Sequence, residues 1–200
     1  MEENRNILIG HYSEAREFLN SFLSNPEYLN LVSEAADILV ECVSGGNKIM
    51  SGGNGGSMCD AMHFAEELSG RWRLNRRGLP AVSISDPSHI TCVANDFGYD
   101  KIFSRYLEAL GNPGDVFLGI STSGNSKNVI EAIKYASENG IKCVILTGNN
   151  GGEISNMIFP GVIVRTPESK FADRIQEMHI KIIHSLIDII EKRTLPVADQ

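Results

Sequence analysis

Residues 48–68, KIMSGGNGGSMCDAMHFAEEL, decide the fold. A short apolar strand over Lys48–Ser51 runs into the loop GGNGGS, and the loop runs into a helix over Met58–Leu68. Glycines let the backbone approach a ligand closely and adopt conformations closed to other residues. The start of the following helix supplies free N–H groups and the positive end of a dipole, so an anion is the natural guest. The spacing is not that of the dinucleotide motif G-x-G-x-x-G, and the loop lacks the G-K-[ST] ending of a P-loop. The alternative is a tight strand-to-helix turn with no ligand.

The arrangement recurs downstream. Asp115–Ile120 is a strand, STSGNS (residues 121–126) its loop, and Val129–Glu138 the next helix. Ser121, Thr122, Ser123 and Ser126 place four hydroxyls around one glycine, and hydroxyls with backbone N–H groups hold a phosphate without Lys or Arg. Helix capping by Asn125 or Ser126 is the competing explanation, but a cap needs only one such residue. Two such loops favour a shared phosphate pocket.

Working outward, two helices precede this region, one ending at Ser24-Asn25-Pro26 and one spanning about Glu27–Ser44. Further strands fall at Ala81–Ser85, Lys142–Thr147 and Val162–Arg165, with a helix over about Tyr99–Leu110 and a long closing helix over Ala172–Lys192. VFLGI and CVILT barely alternate, which marks strands covered on both faces. The fold class expected is α/β: a doubly wound parallel sheet of about five strands flanked by helices. Ligands in such sheets bind beyond the carboxyl ends of the strands, where both loops sit. One domain is expected over residues 1–192, its first 45 or so residues a helical extension, followed by a polar tail over 193–200.

Composition narrows the function. The 200 residues carry 25 acidic and 18 basic side chains, a net charge of −7, which argues against a general nucleic-acid binder. Arg71, Arg73, Arg76 and Arg77 crowd one segment that reads as a solvated loop. The cysteines, Cys42, Cys59, Cys92 and Cys143, form no C-x-x-C pair, so a zinc finger is not expected. The acidic N-terminus is unlike a signal peptide, and no apolar stretch reaches membrane-spanning length. A cytoplasmic protein with no membrane partner is the expectation.

Three polar groups could do chemistry. His63 and Glu67 lie four apart on one helix face, with Glu66 three from His63, a spacing that suits a metal, a base with its neighbour, or a plain surface pair. The last helix, ADRIQEMHIKIIHSLIDII (172–190), is apolar on more than one face, yet Asp173, Gln176, His179 and His184 interrupt it. Polar groups on a buried helix need partners. Spacing does not choose between His179 and His184. Gln176 and His184 are eight apart, about 80° around an ideal helix, so they need a site between their directions. Asn95-Asp96, before Phe97-Gly98, reads as a polar turn after a strand, either a sugar contact or a plain Asx turn.

Taken together, GNGGSMCDAMHFAEELSGR (53–71), ISDPSHITCVANDFGYDKIFSRY (84–106), GDVFLGISTSGNSKNVI (114–130) and ADRIQEMHIKIIH (172–184) resemble the bacterial phosphoheptose isomerases, a branch of the SIS (sugar isomerase) superfamily. The resemblance runs from about Glu14 to Lys192. STSGNS marks the superfamily at large; CDAMHFAEEL and ADRIQE-x-HIK-x-IH are specific to the heptose branch. The resemblance implies a single SIS domain that isomerises sedoheptulose 7-phosphate to D-glycero-D-manno-heptopyranose 7-phosphate, the first step toward nucleotide-activated heptose for lipopolysaccharide core or other surface glycans. It implies a homotetramer with sites shared between subunits and one Zn²⁺ per subunit. Phosphate contacts carry over to Ser57, Ser121, Thr122, Ser123 and Ser126. Sugar contacts carry over to Asn54, Gly55, Gly56, Asn95, Asp96, Arg71 and Asp173. The base carries over to Glu67, its acid partner to His184, and the zinc ligands to His63, Glu67, Gln176 and His184, which selects His184 over His179. Two other readings compete: a non-catalytic SIS-type tetrameric adaptor that associates with the replication initiator, and a sugar-phosphate-sensing regulatory domain. The first need not retain an acid and a base; the second usually accompanies a DNA-binding segment, for which this chain has no room.

Overall fold

A computed structural model describes residues 1–73 and 75–195. Helix α1 (Glu2–Ser24) and helix α2 (Pro26–Ser44) meet at Asn25, whose extended backbone breaks the run and whose side chain accepts from Glu27 N. Pro26 at the first position of α2 gives up an N–H that no helix would satisfy there. Strand β1 (Ile49–Gly53) follows, then α3 (Gly56–Ser69), β2 (Ala81–Ser83), α4 (Pro87–Phe97), a 3₁₀ turn (Tyr99–Lys101) and α5 (Ile102–Leu110). Strand β3 (Val116–Ser121), α6 (Lys127–Glu138), β4 (Lys142–Thr147), a 3₁₀ turn (Ile154–Asn156), β5 (Gly161–Arg165) and α7 (Ala172–Thr194) complete the order.

All strand pairs are parallel, in the order β2-β1-β3-β4-β5. Successive residues of each strand feed opposite cores. Ile49, Leu118 and Val144 pack with α1, α2, α3 and α7, while Met50, Phe117 and Cys143 pack with α4, α5 and α6. This explains the unbroken apolar runs: every residue of β3 is buried because helices cover both faces. Cys42 and Cys143 are buried, as small apolar residues would be.

Strand order fixes where a ligand sits. The chain leaves β1 toward β2 on one side, whereas β3 lies on the other, so the topological switch point falls between β1 and β3. The two glycine loops end those two strands.

Two sequence expectations are corrected. The segment around Asn95-Asp96 is the last turn of α4 rather than a turn after a strand. Asp86 caps that helix by accepting from His89 N, and Pro87 starts it, overriding the β-branched Ile90, Thr91 and Val93. The arginine-rich segment is not uniformly solvated either, since the Arg76 side chain is fully buried against Glu191. The expected tail falls outside the described residues from position 196 onward.

Candidate active site

At the switch point the two loops are tied together. Asn54 Nδ2 donates to Asn128 Oδ1 at 3.0 Å, and Asn128 Nδ2 returns a bond to Asn54 Oδ1 at 2.8 Å. Tyr99 adds its hydroxyl to Asn54 Oδ1 at 2.9 Å. In the second loop Ser121 Oγ bonds Ser126 Oγ at 2.9 Å. Ser126 occupies the N-cap position of α6, yet its side chain makes no cap hydrogen bond, so its hydroxyl is paired with Ser121 rather than spent on the helix. Gly124 closes this loop at φ +66°, where an added Cβ would lie 1.9 Å from Gly151 O; no other residue fits.

The second region is built by α3 and α7. The ligand atoms of His63, Glu67 and His184 lie within 4.8 Å of one another. His63 Nε2 is 2.9 Å from Glu67 Oε1. Glu67 Oε2 and His184 Nε2 are buried and have no hydrogen-bond partner among the described residues. Buried polar atoms left open in this way call for a guest. Two imidazoles and a carboxylate are the donor set of a zinc site, so the residues present fit a divalent cation. Gln176 reaches the same neighbourhood: a Cβ on Gly56 would lie 2.6 Å from Gln176 Oε1, so the side-chain amide of α7 rests against the first loop. Gly56, Cys59, Asp60, His63, Asp173 and Gln176 line an open cleft of about 340 Å³.

Burial sets the charges here. Desolvation pushes the His184 imidazole below its usual pKa, the Glu67 carboxylate opposes this, and His63, Lys181 and Arg73 add to the lowering. His184 is therefore poised as a neutral imidazole. Trp72, the single tryptophan, lies over it with ring centroids 4.9 Å apart. Asp60, one turn before His63, is pushed up to about 6 by desolvation, against the opposing pull of His63.

Both the sequence and the fold match known proteins. The SIS domain profile matches residues 11–148. A phosphoheptose isomerase of Cytophaga hutchinsonii is 54% identical over 188 residues, covering 94% of this chain and 97% of that one. One of Pectobacterium atrosepticum is 53% identical over 196 residues, covering 98% and 99%. The structure of the phosphoheptose isomerase from Neisseria gonorrhoeae superposes with a TM-score of 0.87 at 38% identity, over 94% of this chain and 98% of that chain. The chain belongs to the phosphoheptose isomerases.

Among the residues that the family resemblance singles out, the fold brings His63, Glu67 and His184 into one cluster and sets Gln176 against Gly56. Ser57 is buried in the first turn of α3 and Ser121 at the end of β3, while Thr122 is half-buried and Ser123 exposed. Asn54 spends its side chain on Asn128 and Tyr99. Gly55, at φ +55°, precedes α3. Asn95 and Asp96 are exposed and bonded to each other at 2.7 Å. Arg71 is exposed just past α3. Asp173 lines the cleft, its carboxylate accepting from Arg174 N. His179 is fully buried and places Nε2 3.2 Å from Thr147 O, a core role apart from the cluster. Sequence reasoning missed Trp72 and Asn128. The uniqueness of Trp72, close after the His63–Glu67 helix, was the available signal for it. Asn128 gave none, because a polar residue in the first turn of a helix is ordinary.

Proposed function

We propose that the chain interconverts sedoheptulose 7-phosphate and D-glycero-D-manno-heptopyranose 7-phosphate through an enediolate. The observation that carries this reading is the convergence of Glu67 and His184, each with a buried open atom, beside a loop pair suited to a phosphate. The phosphate is held by the hydroxyls and N–H groups of Ser57, Ser121, Thr122, Ser123 and Ser126. The sugar extends from it along Gly55 and Gly56, with Asn54, Arg71, Asn95, Asp96, Asp173 and Gln176 as its polar contacts.

Starting from the ketose, Glu67 takes a proton from C1, beside the C2 carbonyl, and the C–H electron pair forms the C1–C2 double bond of an enediolate. The neutral His184 imidazole donates to the oxygen developing at C2. The proton held on Glu67 returns to C2, O1 gives its hydrogen back to the imidazole, and the C1 aldehyde results. Glu67 has two oxygens for two duties: Oε1 lies beside His63, and Oε2 is open. His63, Glu67, Gln176 and His184 would hold a zinc ion, which when bound supplies Lewis-acid polarisation of the sugar oxygens.

The assembly we propose is a homotetramer with sites shared between subunits. Ile7, Leu8, Ile9 and Tyr12 stand exposed on the first turns of α1, and Met62 is exposed beside His63, an apolar surface that another subunit would cover. Light scattering should give four times the 21.9 kDa chain mass; a monomer at micromolar concentration would remove this part. The setting is cytoplasmic: all four cysteines are free, and no described helix is long and apolar enough to cross a membrane.

The test of function is a sedoheptulose 7-phosphate isomerase assay on the purified chain, followed by metal analysis of protein prepared without chelators. Absence of turnover in folded, metal-supplemented protein would overturn the enzymatic reading and favour the adaptor.

A further inference from the structure

Arg76 lies seven residues past α3, in a segment with no helix or strand of its own. Its side chain is 0% exposed, and its Nε lies 2.6 Å from Oε1 of Glu191, which is 2% exposed. The other nitrogens go to main-chain carbonyls: Nη2 donates to Glu67 O at 2.9 Å, and Nη1 donates to Leu68 O at 2.8 Å and Arg77 O at 3.1 Å. The last four carbonyls of a helix have no partner within it, and those of Glu67 and Leu68 belong to that set in α3. A cation at this end also suits the helix dipole. Only a planar guanidinium serves a carboxylate and several carbonyls at once; a lysine ammonium is a point charge without the fork.

The other end of the link matters equally. Glu191 sits on α7 seven residues after His184, about two turns along the same face. One buried cation therefore joins the backbone of Glu67 to the helix that carries His184. Apolar side chains could pack α3 on α7 without the desolvation that a buried ion pair costs. Such packing tolerates sliding, whereas a forked donor set between fixed carbonyls and one carboxylate does not.

We infer that Arg76 is a positioning residue for the reaction, fixing the separation of Glu67 and His184 through the α3 carboxyl end and Glu191 without touching substrate. The inference rests on the reading that Glu67 and His184 act as a pair.

Two variants test it. Arg76→Lys keeps the charge beside Glu191 and loses the fork. The double variant Arg76→Met/Glu191→Met removes both buried charges, so neither is left unpaired. Full-length proteins are compared for thermal unfolding, Zn²⁺ affinity by competition with a chromophoric chelator, and kcat and KM separately. Folded variants should lose about ten- to a hundredfold in kcat and in Zn²⁺ affinity, with KM within about twofold. Folded variants with unchanged kcat and Zn²⁺ affinity, or with the loss confined to KM, overturn the inference. If the double variant does not fold, Glu191→Gln, which keeps an acceptor for Nε, carries the same readouts. Glu67→Gln runs alongside. Turnover retained there overturns the site reading and this inference with it; turnover lost there but normal in the Arg76 variants overturns the positioning role alone.

Discussion

The strand-end loops and the α3–α7 cluster solve different problems with different materials. The loops are built from backbone, glycine and hydroxyls, are local in sequence, and are locked by one reciprocal amide pair, Asn54 with Asn128. The cluster is built from side chains more than a hundred residues apart, His63 and Glu67 on one helix and His184 on another. A phosphate arrives already charged, and a fixed set of N–H and O–H donors suffices to hold it. Moving a proton between carbons needs groups whose charge changes, and burial must tune them. Under the proposed function, binding falls to the loops and chemistry to the helices, and substitutions should separate the two.

The largest effect should come from Glu67→Gln. The amide keeps the shape but cannot accept the C1 proton, so kcat should fall by about 10²- to 10⁴-fold. Inorganic phosphate should bind parent and variant with similar affinity by calorimetry. Near-normal turnover would break the comparison at its centre, by removing the base from the helices.

His179 sharpens the comparison from the side of stability. It belongs to α7 but turns away from the cluster to Thr147 O, at the end of β4, next to Gly148, whose N–H holds Thr122 O in the second loop. Burial lowers its pKa from 6.5 to about 4, with the Thr147 bond opposing. The folded protein keeps the ring neutral while the unfolded chain protonates it, so stability is full above pH 6.5 and falls as pH drops toward 4. The loss should reach about 3 kcal/mol below that window. Asp60, raised to about 6, tilts stability the opposite way in the same window, so the His179 slope is read as the difference between parent and His179→Leu in urea unfolding across pH 4–7, and that variant should change kcat much less than Glu67→Gln does. An unaltered slope would mean that His179 is not the titrating group.

The sequence disclosed these two regions unequally, for physical reasons. Strand β4 was legible to the residue because its apolar run is bounded by Lys142 and Thr147, and the loops were legible because glycine and serine runs after strands have few other uses. Helix α4 was misread: its signals, Asp86 as cap and Pro87 at the first position, are brief, and β-branched residues follow them. Arg76 was misread because an arginine surrounded by arginines looks solvated, and nothing local announces a carboxylate at position 191. The choice of His184 over His179 came from family resemblance alone. Both lie on an apolar helix, and only the tertiary packing sends one to Thr147 and the other to Glu67 and Trp72.

Asn128→Leu attacks the loop lock. It leaves Asn54 without its amide partner in a partly buried site, which should cost about 1–3 kcal/mol of stability. It should raise KM by about tenfold through the loosened loop register, with kcat changed by less than about threefold. A fall confined to kcat would instead mean that the loops take part in the chemistry.

The smallest effect concerns Trp72, and it tests whether the cluster needs only its polar atoms. The indole lies on His184 at 4.9 Å, while its Nε1 is buried without a partner among the described residues. The ring therefore contributes area and dryness rather than a hydrogen bond. Trp72→Phe keeps an aromatic face against His184 and removes the open donor, so kcat should stay within about threefold, the lower end of what an aromatic contact is worth. Trp72→Ala admits water and frees the imidazole to turn, and should cost about tenfold in kcat with KM little changed. If Phe and Ala fell equally, the indole N–H would be the working part. The cluster would then hold a further polar group, one that the reciprocal pairing of the loops has no counterpart for.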